Sequence, residues 1–166
     1  MTRVEILTVG LIIGVVGAAS AFAVSMARER TRDVTRLAQV REIQVGLELF
    51  FNDHAAYPVT AEPLALGRTT TACLTGSGFG APCASGDTSS AYVEFVPATP
   101  SQGLKGKSSC AGVKDAYCYF GNGTAFTVQF ELERSNNLLE LKKGLNCATP
   151  AGFKAGACPT LVPAVQ

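Results

Sequence analysis

Tryptophan is absent from this chain, and histidine occurs once, at His54. There is no H-E-x-x-H, no G-x-S-x-G and no Walker-type glycine loop. Catalysis needs a nucleophile or base and an orienting group within reach, and these patterns are its commonest local signatures. The expectation is a protein without catalytic residues, cofactor or resident metal, in which His54 beside Asp53 serves as a helix-end or surface group. No two cysteines stand as C-x-x-C, which removes the usual zinc and thioredoxin spacings. No proline occurs before Pro58, so nothing in the first third interrupts a helix. Charge of one sign is also lacking: 14 Lys and Arg face 13 Asp and Glu over 166 residues. A near-neutral chain has no general attraction for polyanions. Lys105, Lys107, Lys142 and Lys143, with Tyr117 and Tyr119 near them in sequence, make at best a small basic patch for DNA, and a solvated face explains them as well.

The six cysteines, Cys73, Cys83, Cys110, Cys118, Cys147 and Cys158, all fall in the second half. An even number in a glycine-rich, loop-rich region points to disulfides in an oxidising compartment. Sequence does not select the pairing. The sequential set Cys73–Cys83, Cys110–Cys118 and Cys147–Cys158 is the expected one, each bridge closing a short loop and stabilising by roughly 2–3 kcal/mol in the chain-entropy picture.

Ile6 to Met26 contains no charged residue. At 1.5 Å per residue it is long enough to cross a hydrocarbon layer of about 30 Å. A cleaved secretory signal competes with this reading, and Ala18-Ala19-Ser20-Ala21 resembles a cleavage site. Against it stand a single base ahead of the run (Arg3), an acid at its edge (Glu5) and the length of the run. Beyond it Val34, Leu37, Val40, Ile43, Leu47 and Phe50 recur every three or four residues, which places them on one helix face. Arg28, Glu29, Arg30, Arg32, Asp33, Arg36, Arg41, Glu42 and Glu48 take the opposite face. Asn52-Asp53-His54 and Tyr57-Pro58 end the element. The result is one helix of about 53 residues, roughly 80 Å long. The organisation expected is an apolar helix over 1–27, its amphipathic continuation over 28–54, and a disulfide-stapled sheet domain over 55–166.

Residues 59–90 read as loop. A short apolar segment follows at Tyr92, Phe95 and Val96, and Ala116–Phe120 reads as a strand. Gly121-Asn122-Gly123 reads as a hairpin turn. Thr124–Glu133 is the clearest strand: Phe126, Val128, Phe130 and Leu132 alternate with Thr127, Gln129, Glu131 and Glu133, which predicts one buried and one wet face. Leu138–Asn146 offers a weaker strand. Asn122-Gly123-Thr124 is formally a glycosylation sequon, but the turn already accounts for it. The fold class expected is α+β, with the helix on one face of an antiparallel sheet.

Glu5 carries the most information. A carboxylate at the edge of an apolar helix is costly without a partner. The nearest candidates are the Met1 amine and Arg3 of the same chain, or the Met1 amine of a neighbouring copy. The last choice would fix the stagger between two helices; a solvated glutamate at an interface is the bland alternative.

Met1-Thr2-Arg3-Val4-Glu5-Ile6-Leu7 and its apolar run resemble the mature N-terminus of type IV pilins and pseudopilins. That family has an apolar first residue, Thr or Ser second and Glu fifth. The helix end, Leu47-Glu48-Leu49-Phe50-Phe51-Asn52-Asp53 and Tyr57-Pro58, is similar too. The likeness covers residues 1–58. It departs from the family at Met1 (usually Phe), Arg3 (usually apolar) and Phe22, where proline is frequent. The resemblance implies the type IV pilin fold and a major-pilin role. Met1 would be exposed by a prepilin peptidase and N-methylated, with Glu5 guiding assembly. A platform protein and an ATPase would drive that assembly, and Ile6, Leu7, Leu11, Ile12, Ile13, Val15, Val16 and Phe22 would lie in the core of a helical homopolymer. It also implies residence in the inner membrane before assembly. An extracellular filament for adhesion, motility or DNA uptake then follows, with a host surface or DNA as outside partners. Gly10, Gly14 and Gly17 read as ordinary membrane-helix glycines or as a segment that loosens on assembly. Two other readings share the helix: a short secretion-type pseudopilin, and an anchored binding module that never polymerises. Calcium-binding pseudopilins use a carboxylate-rich loop near the C-terminus, and residues 144–166 contain no Asp or Glu.

Overall fold

The computed structural model describes residues 3–83 and 91–159, with the side chains of Arg3, Glu5 and Ile6 outside that description. A single helix, α1, runs from Arg3 to His54. It stops where Ala55 turns left-handed (φ 53°) and Ala55 N–H bonds to the Phe51 carbonyl at 2.7 Å. Tyr57 then stacks on Phe51 and donates to Glu48, which turns the chain toward the sheet.

Among the described residues ten short strands follow in chain order: β1 (Leu64–Ala65), β2 (Cys73–Thr75), β3 (Gly78–Gly80), β4 (Ala91–Val93), β5 (Ser109–Cys110), β6 (Val113–Lys114), β7 (Cys118–Gly121), β8 (Phe126–Leu132), β9 (Gly144–Thr149) and β10 (Gly152–Ala155). The main sheet has the order β1-β7-β8-β9-β10 with every pairing antiparallel. A second sheet, β3-β2-β4, lies beside it, and β5 pairs with β6. The arrangement is α+β: a long N-terminal helix whose later half packs on an antiparallel sheet.

The core is built from Val40, Ile43, Leu47 and Phe50 of α1, Tyr117 just before β7, Tyr119, Phe126, Val128, Phe130 and Leu132 of the main sheet, and Leu74 and Val93 of the second. The β7–β8 turn is held by Asn122, whose Oδ1 accepts from the N–H groups of Thr124 and Ala125, with Gly123 at φ +86°.

Four expectations are corrected. Val34 does not join the core-facing stripe and is 64% exposed, whereas Asp33 and Arg36 face the domain and are buried. That stripe begins with a polar pair because the opposing surface offers carbonyls and a carboxylate at that level. The second face of β8 is not wet: Thr127, Glu131 and Glu133 are all buried, covered by the chain around residues 100–116 and by α1. Residues 59–80, read as loop, contribute β1, β2 and β3. Only the end of Leu138–Asn146 is strand: Gly144–Asn146 opens β9, and residues 138–143 lie outside the ten strands. Asn136 Oδ1 caps a single 3-10 turn at Asn137–Leu139, Glu140 turns left-handed, and β9 starts only at Gly144. Leu138 therefore points outward, 96% exposed, with no sheet partner.

Candidate functional site

Among the described residues the apolar half of α1 packs against nothing in its own chain. Val4, Leu7, Val9, Leu11, Ile12, Ile13, Val15, Val16, Phe22 and Val24 are 49–72% exposed. Among the described residues one helix is long and apolar enough to cross a membrane, and none of its most apolar window is buried. A continuous apolar surface of this size on a soluble domain marks a site of lipid or protein contact. Leu7, Leu11, Ile12, Ile13, Val15, Val16 and Phe22 of the expected core set lie on this bare segment. Met1 and the side chains of Glu5 and Ile6 lie outside the described residues. Gly10, Gly14 and Gly17 are helical and have open space around them.

Where the helix meets the domain, a charged clamp fixes it. Arg36 has no exposed surface. Its Nη1 donates to Asp33 Oδ1 and Glu133 Oε1, both at 2.7 Å, and its Nε and Nη2 donate to the carbonyls of Pro100 and Gln102. Arg32, one turn earlier, donates through Nε (2.6 Å) and Nη2 to the two oxygens of the same Glu133. Asp33 completes the set by accepting the backbone N–H groups of Glu133 and Arg134. A planar guanidinium suits such a site because its donors fan out in one plane and lose little freedom when all are used. The hydrogen bond from Arg32 holds the Glu133 carboxyl below the usual carboxylate range, burial works against this, and Arg36 adds to the lowering. The same pair raises the Arg32 pKa, through the Glu133 hydrogen bond first. All four of these residues were placed on wet faces from sequence: Arg32, Asp33 and Arg36 on the polar side of the helix, and Glu133 on the wet side of its strand. The one available signal was the Asp33-x-x-Arg36 spacing, which sets an acid and a base on one helix side; nothing local points to Glu133.

A second buried carboxylate anchors the covering loop. Glu131 accepts the N–H groups of Lys105 (2.9 Å), Lys107 (2.8 Å) and Ser108 (3.3 Å). The bridges Cys73–Cys83, Cys110–Cys118 and Cys147–Cys158 are all formed, with Cα separations of 5.5, 5.3 and 4.9 Å. They tie β2 to the segment after β3, β5 to β7, and β9 to the segment after β10.

The aromatic half of the DNA reading is overturned. Tyr117 and Tyr119 are buried, their hydroxyls donating to Gln39 Oε1 and the Pro58 carbonyl, so neither offers a ring to a base. His54 stacks on Phe50 with its Nδ1 3.0 Å from the Phe50 carbonyl, and Asp53 accepts from Tyr92. Among the described residues no group of three or more His, Cys, Asp or Glu is placed to hold a metal ion.

No family model, no curated protein and no solved structure matches this chain.

Proposed function

We propose that this chain is a filament subunit of the type IV pilin kind, with the type IV pilin fold, and that it polymerises through its N-terminal helix. The observation that carries the reading is the bare apolar half of α1, continuous with a helix that is clamped to a disulfide-stapled α+β domain. A rigid helix with no partner among the described residues has two ways to leave water: lipid, and copies of itself. At about 25 cal/mol per Å² of apolar surface, either gain is large. A clamped helix transmits position, so that packing of helices dictates where the domains sit. A pairing of Glu5 with the Met1 amine of a neighbour would select one stagger, since any other leaves a charge unpaired among apolar groups.

On this reading the chain waits in the inner membrane and then forms the core and shell of an extracellular filament. Prepilin peptidase, platform protein and assembly ATPase are the partners the resemblance implies. Three disulfides suit a domain that stays folded outside the cell.

The test is to shear the producing cells, image the sheared fraction by electron microscopy and sequence the N-terminal peptide of its main protein. Filaments of this chain that begin at a methylated Met1, and that disappear in Glu5→Ala, are expected. A protein that stays in the membrane with an unprocessed Met1, and keeps its behaviour in Glu5→Ala, would refute polymerisation and leave an anchored module.

A further inference from the structure

The surface where α1 leaves the domain has a chemistry the clamp does not use. Val24, Ala27, Arg28, Thr31, Arg32 and Gln102 line a cleft of about 560 Å³ between the helix and the loop that carries Gln102. Val24, Ala27, Arg28 and Thr31 recur at helical spacing and so share one face. Arg28 and Arg32 stand one turn apart as two like charges, an unfavourable pair unless an anion lies between them. Arg32 has its anion in Glu133. Arg28 is exposed and makes no ion pair among the described residues. Thr31 directs its hydroxyl back to the Ala27 carbonyl and leaves the cleft to the guanidinium groups.

The apolar run ends at Met26, so Arg28 lies about 3 Å farther along the axis, at the level where a membrane's phosphates would be. The geometry points to an anionic-phospholipid site: a phosphodiester headgroup held by Arg28 and the free Nη1 edge of Arg32, with the acyl chain lying along Val24 and Ala27. This inference rests on the membrane-resident state described above. A soluble phosphate would use the two arginines but has no use for the apolar end of the cleft. The amphipathic lining therefore favours a lipid as the source of the anion. The lipid would hold the subunit at one depth and rotation in the bilayer, and would have to be released when the helix moves into a filament.

The experiment uses the full chain in non-ionic detergent. Short-chain phosphatidylglycerol, short-chain phosphatidylcholine and inorganic phosphate are titrated separately, and bound molecules are counted by native mass spectrometry. Flotation with phosphatidylcholine vesicles is run alongside. Arg28→Gln should weaken phosphatidylglycerol binding about fivefold, the size expected for one arginine at a charged membrane surface. Arg30→Gln removes the same charge from another helix face and should leave binding within about twofold of wild type. Equal losses in the two variants would mean diffuse attraction without a site and would overturn the inference. Inorganic phosphate that displaces phosphatidylglycerol with the same Arg28 dependence would make this a free-anion site and also overturn it. Flotation with no preference for phosphatidylglycerol over phosphatidylcholine in the titrations defeats the lipid site alone; failure to float defeats the membrane reading and the site with it.

Discussion

Glu133 lies 2.7 Å from the Arg36 guanidinium, and among the described residues it is the one acid that Arg36 shares with Arg32. Helix and sheet are thus joined through a carboxylate 97 residues away in sequence. Taking a buried pair apart costs about 3–5 kcal/mol, because the partner left behind is charged and poorly solvated. Arg36→Ala and Glu133→Gln should each lower unfolding free energy by that amount in denaturant titrations. Arg36→Lys should recover little, since an ammonium cannot reach two carbonyls and two carboxylates at once. A loss below about 1 kcal/mol in Arg36→Ala would mean the clamp adds nothing to the docking of the helix.

The same residue makes a prediction about acid. The folded protein holds the Glu133 carboxyl below its ordinary value. Its contribution is therefore complete above that ordinary value, about 4.3, and is lost as pH falls through the lower folded value. The stability difference between wild type and Glu133→Gln should be constant from pH 7 to about 5 and should shrink below about 4. A difference that stays constant down to about pH 2 would show that Glu133 is not the titrating partner.

Glu131 tests whether the covered face of β8 depends on one carboxylate. It accepts three backbone N–H groups from the loop above it. In Glu131→Gln one acceptor becomes an NH2 that faces donors, and a buried unsatisfied donor costs about 1–3 kcal/mol. The expected outcome is a loss of that size together with faster amide exchange at Lys105, Lys107 and Ser108. Unchanged exchange at those three amides would show that the disulfide Cys110–Cys118 holds the loop without help.

These acids also mark where the sequence stops being readable. The helix was legible because proline is absent before Pro58 and the spacing from Val40 to Phe50 is regular. Strand β8 was legible from its alternation, and its turn from Asn122-Gly123. Pattern rules read a glutamate in a strand as facing water, and that is right only when nothing lies over it. Glu131 and Glu133 are buried because segments about 25 and 100 residues away supply donors to their carboxylates, and no local window contains that information. Val34 and Arg36 exchanged faces for the same reason. Residues 59–80 looked like loop because their strands are only two or three residues long, too short to show a period.

Alkaline titration probes the core without mutation. The chain has four tyrosines. Burial, helped by the Glu48 carboxylate, pushes Tyr57 up to about 12. Burial raises Tyr117 and Tyr119 further, and a hydrogen bond to Asp53 raises Tyr92. A raised value favours the neutral form, so this stabilisation is complete below about pH 10 and is lost as pH climbs through the folded values. Phenolate absorbance should be nearly flat through pH 10 in the native protein and rise only at higher pH, steeply if unfolding accompanies it. The same protein in concentrated urea should titrate all four near pH 10. A native tyrosine that ionises near pH 10 would contradict the packing around Tyr57 or Tyr92.

Gly46 gives a test whose sign separates packing from propensity. Alanine in place of glycine inside a helix ordinarily gains about 1 kcal/mol. A Cβ on Gly46, however, would fall on Val93 Cγ2, with the Tyr92 carbonyl 3.4 Å away and Leu74 Cδ2 at 3.6 Å. Val93 is β-branched and buried, so it has few rotamers into which to retreat. Gly46→Ala should therefore destabilise by about 1–3 kcal/mol despite the better helix former. Gly14→Ala is the control, because nothing lies within 4 Å of that position. In detergent it should keep or increase helix content. The proposed filament supplies a third reading of the same variant. If neighbouring helices approach closely at Gly14, Gly14→Ala will fold normally and yet reduce filament yield. Normal filaments from Gly14→Ala, beside a destabilised Gly46→Ala, would show that Gly14 is not a point of close helix contact in the filament.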